Sequence, residues 1–466
     1  MPTTKQAAAA TVSGGAFDWP VCREAEHLLA TCIEGFLRRN TFARRLADRM
    51  RDETGTDFFE WVDHLVLSPE HEKLLAAAGF VPDSCEAPAG TAVWWHPRAM
   101  LPRVLLRADG GGSGVPSILA VRPEFVADFL AAHDLGSIIE GGVRARYRRA
   151  LVHEEQRTRL EAVERHACRG FVVREPAPAD VVAGLAAREL WRTRCRDFAN
   201  DADGVKHAFA RLEAVLALVD RDLACDLFFA EERRFWEQRN RAARIQKRRQ
   251  DRLGLGWGNH DHHTFRCSRE RFASLMDFLR RLGFKRRERF YAGAEAGWGA
   301  QICEQATAGI VVFADVDLLP EETEIDFATE PLPPAPKLGT VGLWCALHGD
   351  SFLQAGMHHL EARFDFARLK SQLAEEGVET MKPFSDFEFL RQAFTVGERW
   401  TLRPARLAAL LKSELITEAQ AEVFGRDGAI GSHLENLQRR GGFKGFNQKS
   451  VSAVIAATDP RRVQVE

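Results

Sequence analysis

The hydrophobic and polar positions of this 466-residue chain repeat one pattern three times. The copies are "WVDHLVLSPEHEKLLAAAGF" (61–80), "HHTFRCSRERFASLMDFLRRLGF" (262–284) and "HHLEARFDFARLKSQLAEEGV" (358–378). Each begins with a short extended run, continues into an amphipathic helix and stops at a glycine. Because further short β-like runs follow each helix, the pattern predicts βαβββ modules.

The predicted fold class is α+β, with βαβββ modules that form a curled mixed sheet or barrel around a metal. A helical insert separates the first two modules, and residues 404–440 also have helical character. The expected organisation is a disordered tail (1–16), a first βαβββ-like module with N-terminal helices (17–150), a helical insert (151–255), a second βαβββ module (256–340) and a third module-like segment with C-terminal helices (341–466).

Composition places the chain among soluble globular proteins, since 45% of its residues are hydrophobic and 28% are charged. A net charge of −2 predicts no general attraction to nucleic acid or membranes. The basic run at 239–252 is interpreted as the solvated end of a helix, where cations suit the helix dipole. No apolar run approaches the roughly 18 residues of a membrane span. We therefore expect neither nucleic acid nor a membrane as a partner.

Nine cysteines are scattered without a CxxC pair. This spacing argues against a disulfide framework and against a cysteine zinc site. The simplest compartment is a reducing cytoplasm. Any metal would then be held by histidine and carboxylate.

Candidate metal ligands follow from the faces of the extended runs. Because side chains alternate across a strand, His262 and Arg266 share one face in the second copy, and His359 and Arg363 share one face in the third. The repeated His-x-x-x-Arg spacing predicts a polar cavity. In the first copy His64 keeps the histidine position.

A carboxylate is needed to complete such a site. The segment "EETEIDFATE" (321–330) alternates, which places Glu324 and Asp326 on one face. Two histidines and one carboxylate leave three positions open, and this suits Fe(II) with a chelating substrate and O₂. The same nitrogen and oxygen donors also permit Zn(II), Mn(II) or Co(II).

These motifs resemble the iron-dependent 2-oxoadipate dioxygenase/decarboxylases, also called hydroxyglutarate synthases, of the vicinal oxygen chelate superfamily. The resemblance is carried in chain order by "FLRRNTFARRLADRM", "DHL" (63–65), "AVWWHPRAMLPRVLL" (92–106), "DHHTFR" (261–266) and "EIDFATE" (324–330). It implies a cytoplasmic non-haem iron dioxygenase that binds Fe(II), a small carboxylate substrate and O₂, and that decarboxylates and hydroxylates a 2-oxo acid.

Carried over by residue, the resemblance implies His64, His262 and Glu324 as metal ligands, with Asp326 as the alternative carboxylate. The family has an arginine four residues after its first histidine, whereas this chain has Ser68 there, which argues against 2-oxoadipate itself as the substrate.

The segment "HHLEAR" also resembles the family's first ligand strand, "His-Gly-Ala-Ile-Arg". His359 is therefore the alternative to His64 as the partner of His262. Arg266 and Arg363 are the expected substrate-binding residues, since a planar guanidinium pairs with a carboxylate in bidentate fashion. Two other functions remain open: an O₂-independent metal-dependent lyase or isomerase of the same superfamily, and a non-catalytic binding protein.

Overall fold

Two mixed β-sheets form the frame of the molecule in the computed structural model, which describes residues 19–110, 114–335, 337–447 and 459–461. The strands are β1 (Val62–Leu67), β2 (Val81–Asp83), β3 (Ala92–Trp95), β4 (Arg103–Leu106), β5 (Ile118–Val121), β6 (Ile139–Glu140), β7 (Tyr147–Glu155), β8 (Thr158–Arg165), β9 (His260–Arg266), β10 (Lys285–Tyr291), β11 (Trp298–Gln305), β12 (Ile310–Asp317), β13 (His359–Arg363), β14 (Ser385–Phe387), β15 (Leu390–Phe394), β16 (Glu398–Trp400) and β17 (Ala429–Arg439). The predicted tail at 1–16 lies outside the described residues.

Most helices pack against one face of each sheet, whereas α10 (Thr340–His348) packs against side chains of the opposite face of the second sheet. The helices are α1 (Arg23–Leu37), α2 (Thr41–Arg49), α3 (Glu72–Ala77), α4 (Val126–Ala132), α5 (Pro178–Arg192), α6 (Asp201–Leu216), α7 (Arg221–Gln238), α8 (Arg241–Asp251), α9 (Phe272–Arg281), α10 (Thr340–His348), α11 (Phe366–Glu375), α12 (Pro404–Lys412) and α13 (Glu418–Asp427). None of the helices in the described ranges is both long and apolar enough to cross a membrane.

The two sheets have the same strand order. The first sheet runs β2-β3-β4-β1-β5-β8-β7-β6, and the second runs β10-β11-β12-β9-β13-β17-β15-β14, with β16 added beside β17. Each sheet is therefore two βαβββ modules joined through their first strands, which pair antiparallel as β1 with β5 and β9 with β13. The predicted fold class, α+β with βαβββ modules in curled mixed sheets, is confirmed.

A fourth module was not predicted from the sequence. It comprises β5, α4, β6, β7 and β8, and its first strand carries no histidine. Because β7 and β8 occupy 147–165, helical structure begins at Pro178 and not at the predicted boundary of 151. Within "YRRALVHEE", Ala150 and Val152 are buried whereas Leu151 and His153 are only partly buried, which is typical of a half-buried strand.

The expected helix over 404–440 is wrong in its last third. Helix α13 ends at Gly428, whose φ of 69° lies in the left-handed region that favours glycine. The chain then forms β17, which is the longest strand of the second sheet and lies between β13 and β15. This strand supplies part of the site described next.

Each sheet buries its helix-covered face in a separate apolar core. Helices α5 to α8 cover the second sheet, where Phe228 and Phe229 of α7 pack against Phe265 of β9. Helices α1, α2 and α4 cover the first sheet. The opposite face of the second sheet is left to line a cavity.

Candidate metal centre

Four buried side chains from three neighbouring strands meet on the inner face of the second sheet. His262 lies on β9, His359 and Glu361 lie on β13, and Glu435 lies on β17. The Nε2 atom of His262 is 3.2 Å from Oε1 of Glu361, and Nε2 of His359 contacts the same oxygen. The Oε2 atom of Glu435 is 3.6 Å from Nε2 of His359. Both imidazole Nε2 atoms therefore converge on Oε1 of Glu361, and ligand atoms of His262, Glu361 and Glu435 all lie within 4.8 Å of one another.

Strand register brings these groups together. Glu361 lies opposite His262 in the antiparallel pair, and it lies beside Glu435 in the parallel pair of β13 with β17. Alternation along β9 directs His262 into the cavity and Phe265 into the core behind the sheet, as predicted from the sequence.

Neighbouring polar groups hold the four side chains in place. Nδ1 of His262 is 2.9 Å from a carboxylate oxygen of Asp261, which fixes the proton on Nδ1 and leaves the Nε2 lone pair free. Arg439 donates two hydrogen bonds to Asp261, each of 3.0 Å. Gln392 donates to Oε1 of Glu435 at 2.8 Å. Metal-binding residues typically have such an outer layer of hydrogen bonds.

Burial shifts the pKa values of these groups toward their neutral forms. Burial, together with the adjacent Glu435, raises the pKa of Glu361 well above its usual value, and burial raises the pKa of Glu435 to about 8. Burial lowers the pKa of His262 to about 4, although Asp261 opposes the shift. Oε2 of Glu361 is buried and has no hydrogen-bond partner among the described residues. A divalent cation would satisfy this donor set of imidazole nitrogens and carboxylate oxygens.

The surrounding cavity is small and mostly aromatic. It has a volume of about 60 Å³ and contains Arg266, Asp315 and Gln392 besides the four converging residues. Its aromatic lining consists of Phe290, Trp298, Phe313, Phe384, Phe394 and Phe446. Phe446 closes one side, with its ring centroid 5.1 Å from that of His262.

His64 lies on β1 of the first sheet, apart from this cavity. Its Nδ1 is 2.7 Å from the carboxylate of Asp63, and Arg165 pairs with that carboxylate in bidentate fashion. The arrangement repeats that of Asp261, His262 and Arg439 in the second sheet. Of the two alternatives from the sequence, it is His359, and not His64, that the structure places beside His262.

The expected carboxylate strand at 321–330 is wrong. The segment forms a 3₁₀ turn (Pro320–Glu322) followed by further turns. Glu324 is exposed, and Asp326 pairs with Arg286 and Arg289. Neither carboxylate lies in the cavity with His262. Local hydrogen bonds and arginine partners, and not a sheet, satisfy these acidic side chains.

The two expected substrate-binding arginines lie in different places. Arg266 is in the cavity, where its Nε is 3.9 Å from Asp315 and its Nε and Nη1 have no hydrogen-bond partner among the described residues. Arg363 lies outside, at the last position of β13, where it lines a separate cavity. Its guanidinium donates to the carbonyl of Glu60 at 3.0 Å. The predicted role of Arg363 in this cavity is therefore corrected.

Strand alternation places Glu361 on the same face as His359. Neither Glu361 nor Glu435 was identified from the sequence as part of the site. Glu435 was missed because "GSHLENLQRR" follows two helices and was assigned to them. The alternation of His433 and Glu435 with the apolar Leu434 could have indicated a strand.

The first sheet contains an incomplete copy of the same arrangement. Its register places Ala120 opposite His64 and beside Glu161, the positions that Glu361 and Glu435 occupy in the second sheet. Ile118 stands in the position of His359. The ring of Phe171 packs against His64 at 4.9 Å, so apolar side chains fill the space.

Comparison of the sequence with protein-family models and with curated proteins gives no match. Among solved structures, a 4-hydroxymandelate synthase variant from Streptomyces coelicolor aligns with 86% of this chain and 98% of its own, at 14% identity and a TM-score of 0.28. A putative glyoxalase superfamily protein from Ralstonia eutropha JMP134 aligns with 57% of this chain and 97% of its own, at 12% identity and a TM-score of 0.32.

A methylmalonyl-CoA epimerase from Mycobacterium tuberculosis aligns with 39% of this chain and 88% of its own, at 10% identity and a TM-score of 0.23. The overlap with each of these structures is partial and the identity is low. The fold is therefore assigned from the strand order of the two sheets, and the site is assigned from the distances between its side chains.

Proposed function

We propose that this protein is a mononuclear non-haem Fe(II) oxygenase that acts on a small 2-oxo acid, with His262, His359 and Glu435 as its metal ligands. The observation that carries the proposal is that both imidazole Nε2 atoms contact Oε1 of Glu361, while Oε2 of Glu435 lies 3.6 Å from Nε2 of His359. A face of two histidines and one carboxylate is the ligand set typical of Fe(II) oxygenases. When bound, Fe(II) supplies open coordination positions and a one-electron redox couple.

Arg266 is the residue proposed to bind the substrate carboxylate. Burial raises the pKa of Asp315 to about 7 despite the nearby Arg266, so Asp315 is partly neutral at physiological pH. The positive charge of Arg266 is then available to an incoming anion. A carboxylate would also supply the hydrogen bonds that Nε and Nη1 of Arg266 lack among the described residues.

The cavity favours a short substrate with an apolar side chain. A single water needs about 10–15 Å³ of such space, so 60 Å³ accommodates about four to six heavy atoms. The aromatic walls exclude water from the reacting groups and disfavour a second charged group on the substrate. We therefore favour a 2-oxo monocarboxylic acid of pyruvate size, with six non-hydrogen atoms, over the larger 2-oxobutyrate and 2-oxoadipate.

The test is reconstitution with Fe(II) under anaerobic conditions, followed by addition of air-saturated buffer and measurement of O₂ uptake and CO₂ release. The substrates are pyruvate, 2-oxobutyrate and 2-oxoadipate. We expect the strongest uptake with pyruvate in the wild type and in His64→Ala, and none in His262→Ala or His359→Ala. Equal uptake in His262→Ala and the wild type would refute the site assignment.

A second candidate function depends on Glu361. If Glu361 is a fourth metal ligand, an octahedral ion keeps two open positions, enough for a chelating substrate but not for O₂ as well. The protein would then be an O₂-independent isomerase or lyase, with a metal such as Mn(II) or Zn(II). Turnover of a 2-oxo or 2-hydroxy acid by the Mn(II) protein without O₂ would favour this function, whereas strict O₂ dependence would favour the oxygenase.

A further inference from the structure

A second and larger cavity lies between the two sheets. Its volume is about 540 Å³, within the range of small-molecule binding sites. The first sheet contributes residues near Asp63, Arg103 and Arg165, and the second contributes residues near His260 and Lys285. None of its lining residues belongs to the metal cavity.

Positive charge dominates this cavity. Nine arginine and lysine side chains line it, against four aspartate and glutamate side chains. Some carboxylates each pair with two of these cations. Glu304 lies 3.6 Å from Arg287 and 3.1 Å from Lys444, so one negative charge serves two positive ones. The local ion pairs therefore leave an excess of positive charge.

Arg122 is the clearest part of that excess. It follows β5, and its backbone N–H donates to the carbonyl of Trp61 at 2.7 Å, which anchors the segment at the cavity wall. Its guanidinium has no ion pair or hydrogen bond with any described residue. The Nη1 atom lies beside Gly309, 4.0 Å from the position that a Cβ would occupy there. A desolvated guanidinium without an ion pair lowers the stability of the folded state unless an anion binds to it.

Lys285 adds a second available cation from the other sheet. It begins β10, it lines the same cavity, and no salt bridge to it is formed within the described ranges. Cations from both halves of the chain thus face one space that is large enough for a metabolite.

We propose that this cavity binds a small polyanion with two or more phosphate or carboxylate groups, held by Arg122 and Lys285. Arginine and lysine are the side chains that bind both kinds of anionic group. The proposal does not rest on the oxygenase function, since Arg122 and Lys285 both lie outside the metal cavity.

The test is isothermal titration calorimetry of the full chain at low salt with pyrophosphate and with citrate. We expect saturable one-to-one binding of at least one of them, weakened at least tenfold by Arg122→Gln and severalfold by Lys285→Gln. The matched control Arg39→Gln removes an exposed arginine outside the cavity and should leave the affinity unchanged. Tighter binding of pyrophosphate would identify a phosphorylated ligand, and tighter binding of citrate a polycarboxylate.

Absence of saturable binding by both anions would overturn the proposal, and so would an equal loss of affinity in Arg39→Gln. Thermal melting provides a second readout. Without ligand, Arg122→Gln should melt at or above the wild-type temperature, since it removes an unpaired charge. A lower melting temperature would show that Arg122 is a structural residue and would also overturn the proposal.

Discussion

Two aspartate–histidine pairs in this chain have the same hydrogen bond and the same arginine partner but different surroundings. Asp261 and His262 face carboxylates and another imidazole, whereas Asp63 and His64 face Phe171 and other apolar side chains. The identity of the neighbours, and not the pair itself, decides which histidine can bind a metal. Each residue of the first pair therefore has a matched control in the second.

We expect His262→Ala to weaken Fe(II) or Mn(II) binding by more than the roughly 10- to 100-fold that loss of an outer hydrogen-bond partner costs. His359→Ala should behave in the same way, because both imidazoles face the same point. His64→Ala should bind the metal as the wild type does. Metal titration followed by calorimetry measures all three, and retained affinity in His262→Ala would contradict the prediction.

Asp261→Asn should reduce metal affinity by about 10- to 100-fold, since an amide no longer holds His262 in the tautomer that presents Nε2. Asp63→Asn makes the same change in the first sheet and should leave the affinity unchanged. Comparable losses in the two variants would indicate a general effect on folding.

The residue-scale predictions from the sequence succeeded where strand alternation alone decides orientation. His262 and Arg266 lie on the inner face as expected. Arg363 does not, because it is the last residue of β13 and its guanidinium pairs with Glu60 in the first half of the chain, a contact that single-strand alternation does not reveal.

At the scale of elements, the alternating pattern of one short acidic segment predicts a strand where the structure has a turn. Residues 321–330 alternate like a strand, yet Glu322 pairs with Arg269 at 2.5 Å and accepts from the backbone N–H of Leu319 at 2.9 Å. These contacts stabilise a turn. The arginines that pair with these acidic side chains come from distant parts of the chain, so the local sequence pattern contains no information about the ion pairs.

A histidine links β8 of the first sheet to helix α7. Burial opposes the charge on His166, but hydrogen bonds with Asp226 and Glu164 outweigh it and raise its pKa to about 9. Because the folded-state pKa exceeds the unfolded value of about 6.5, this stabilisation is fully present below pH 6.5 and is lost as the pH rises through 9. The shift corresponds to about 3 kcal/mol.

We therefore expect the free energy of unfolding to fall between pH 6.5 and 9.5, and to fall less in His166→Gln. Urea unfolding across this pH range measures both. His27→Gln, at an exposed histidine of α1, is the control and should keep the wild-type slope. The same slope in His166→Gln as in the wild type would show that other groups control it.

At the scale of the whole molecule, metal binding should stabilise the fold. A ligand that binds only the folded state at 100 times its dissociation constant adds about 2.7 kcal/mol. We expect Mn(II) to raise the melting temperature of the wild type and of His64→Ala, and EDTA to reverse the effect. An equal rise in His262→Ala would place the ion elsewhere.

The affinity for that ion should rise with pH up to about 8. Burial keeps the imidazole of His262 neutral, with a pKa of about 4, so its protonation does not compete with the metal at neutral pH. Burial raises the pKa of Glu435 to about 8, and the metal must displace that proton. Mn(II) titrations from pH 6 to 9 measure this, and an affinity that is constant above pH 6.5 would contradict it.

The identical strand order of the two sheets has a consequence for how the molecule can change. Ile118 and Ala120 are the positions at which the first half lacks an imidazole and an acid, while its aspartate, histidine, arginine and Glu161 are already in register. Three substitutions, at Ile118, Ala120 and Phe171, would therefore give the first sheet the set of side chains found in the candidate metal centre. The first sheet is therefore a place where a second metal site can be engineered by side-chain substitution on the existing backbone.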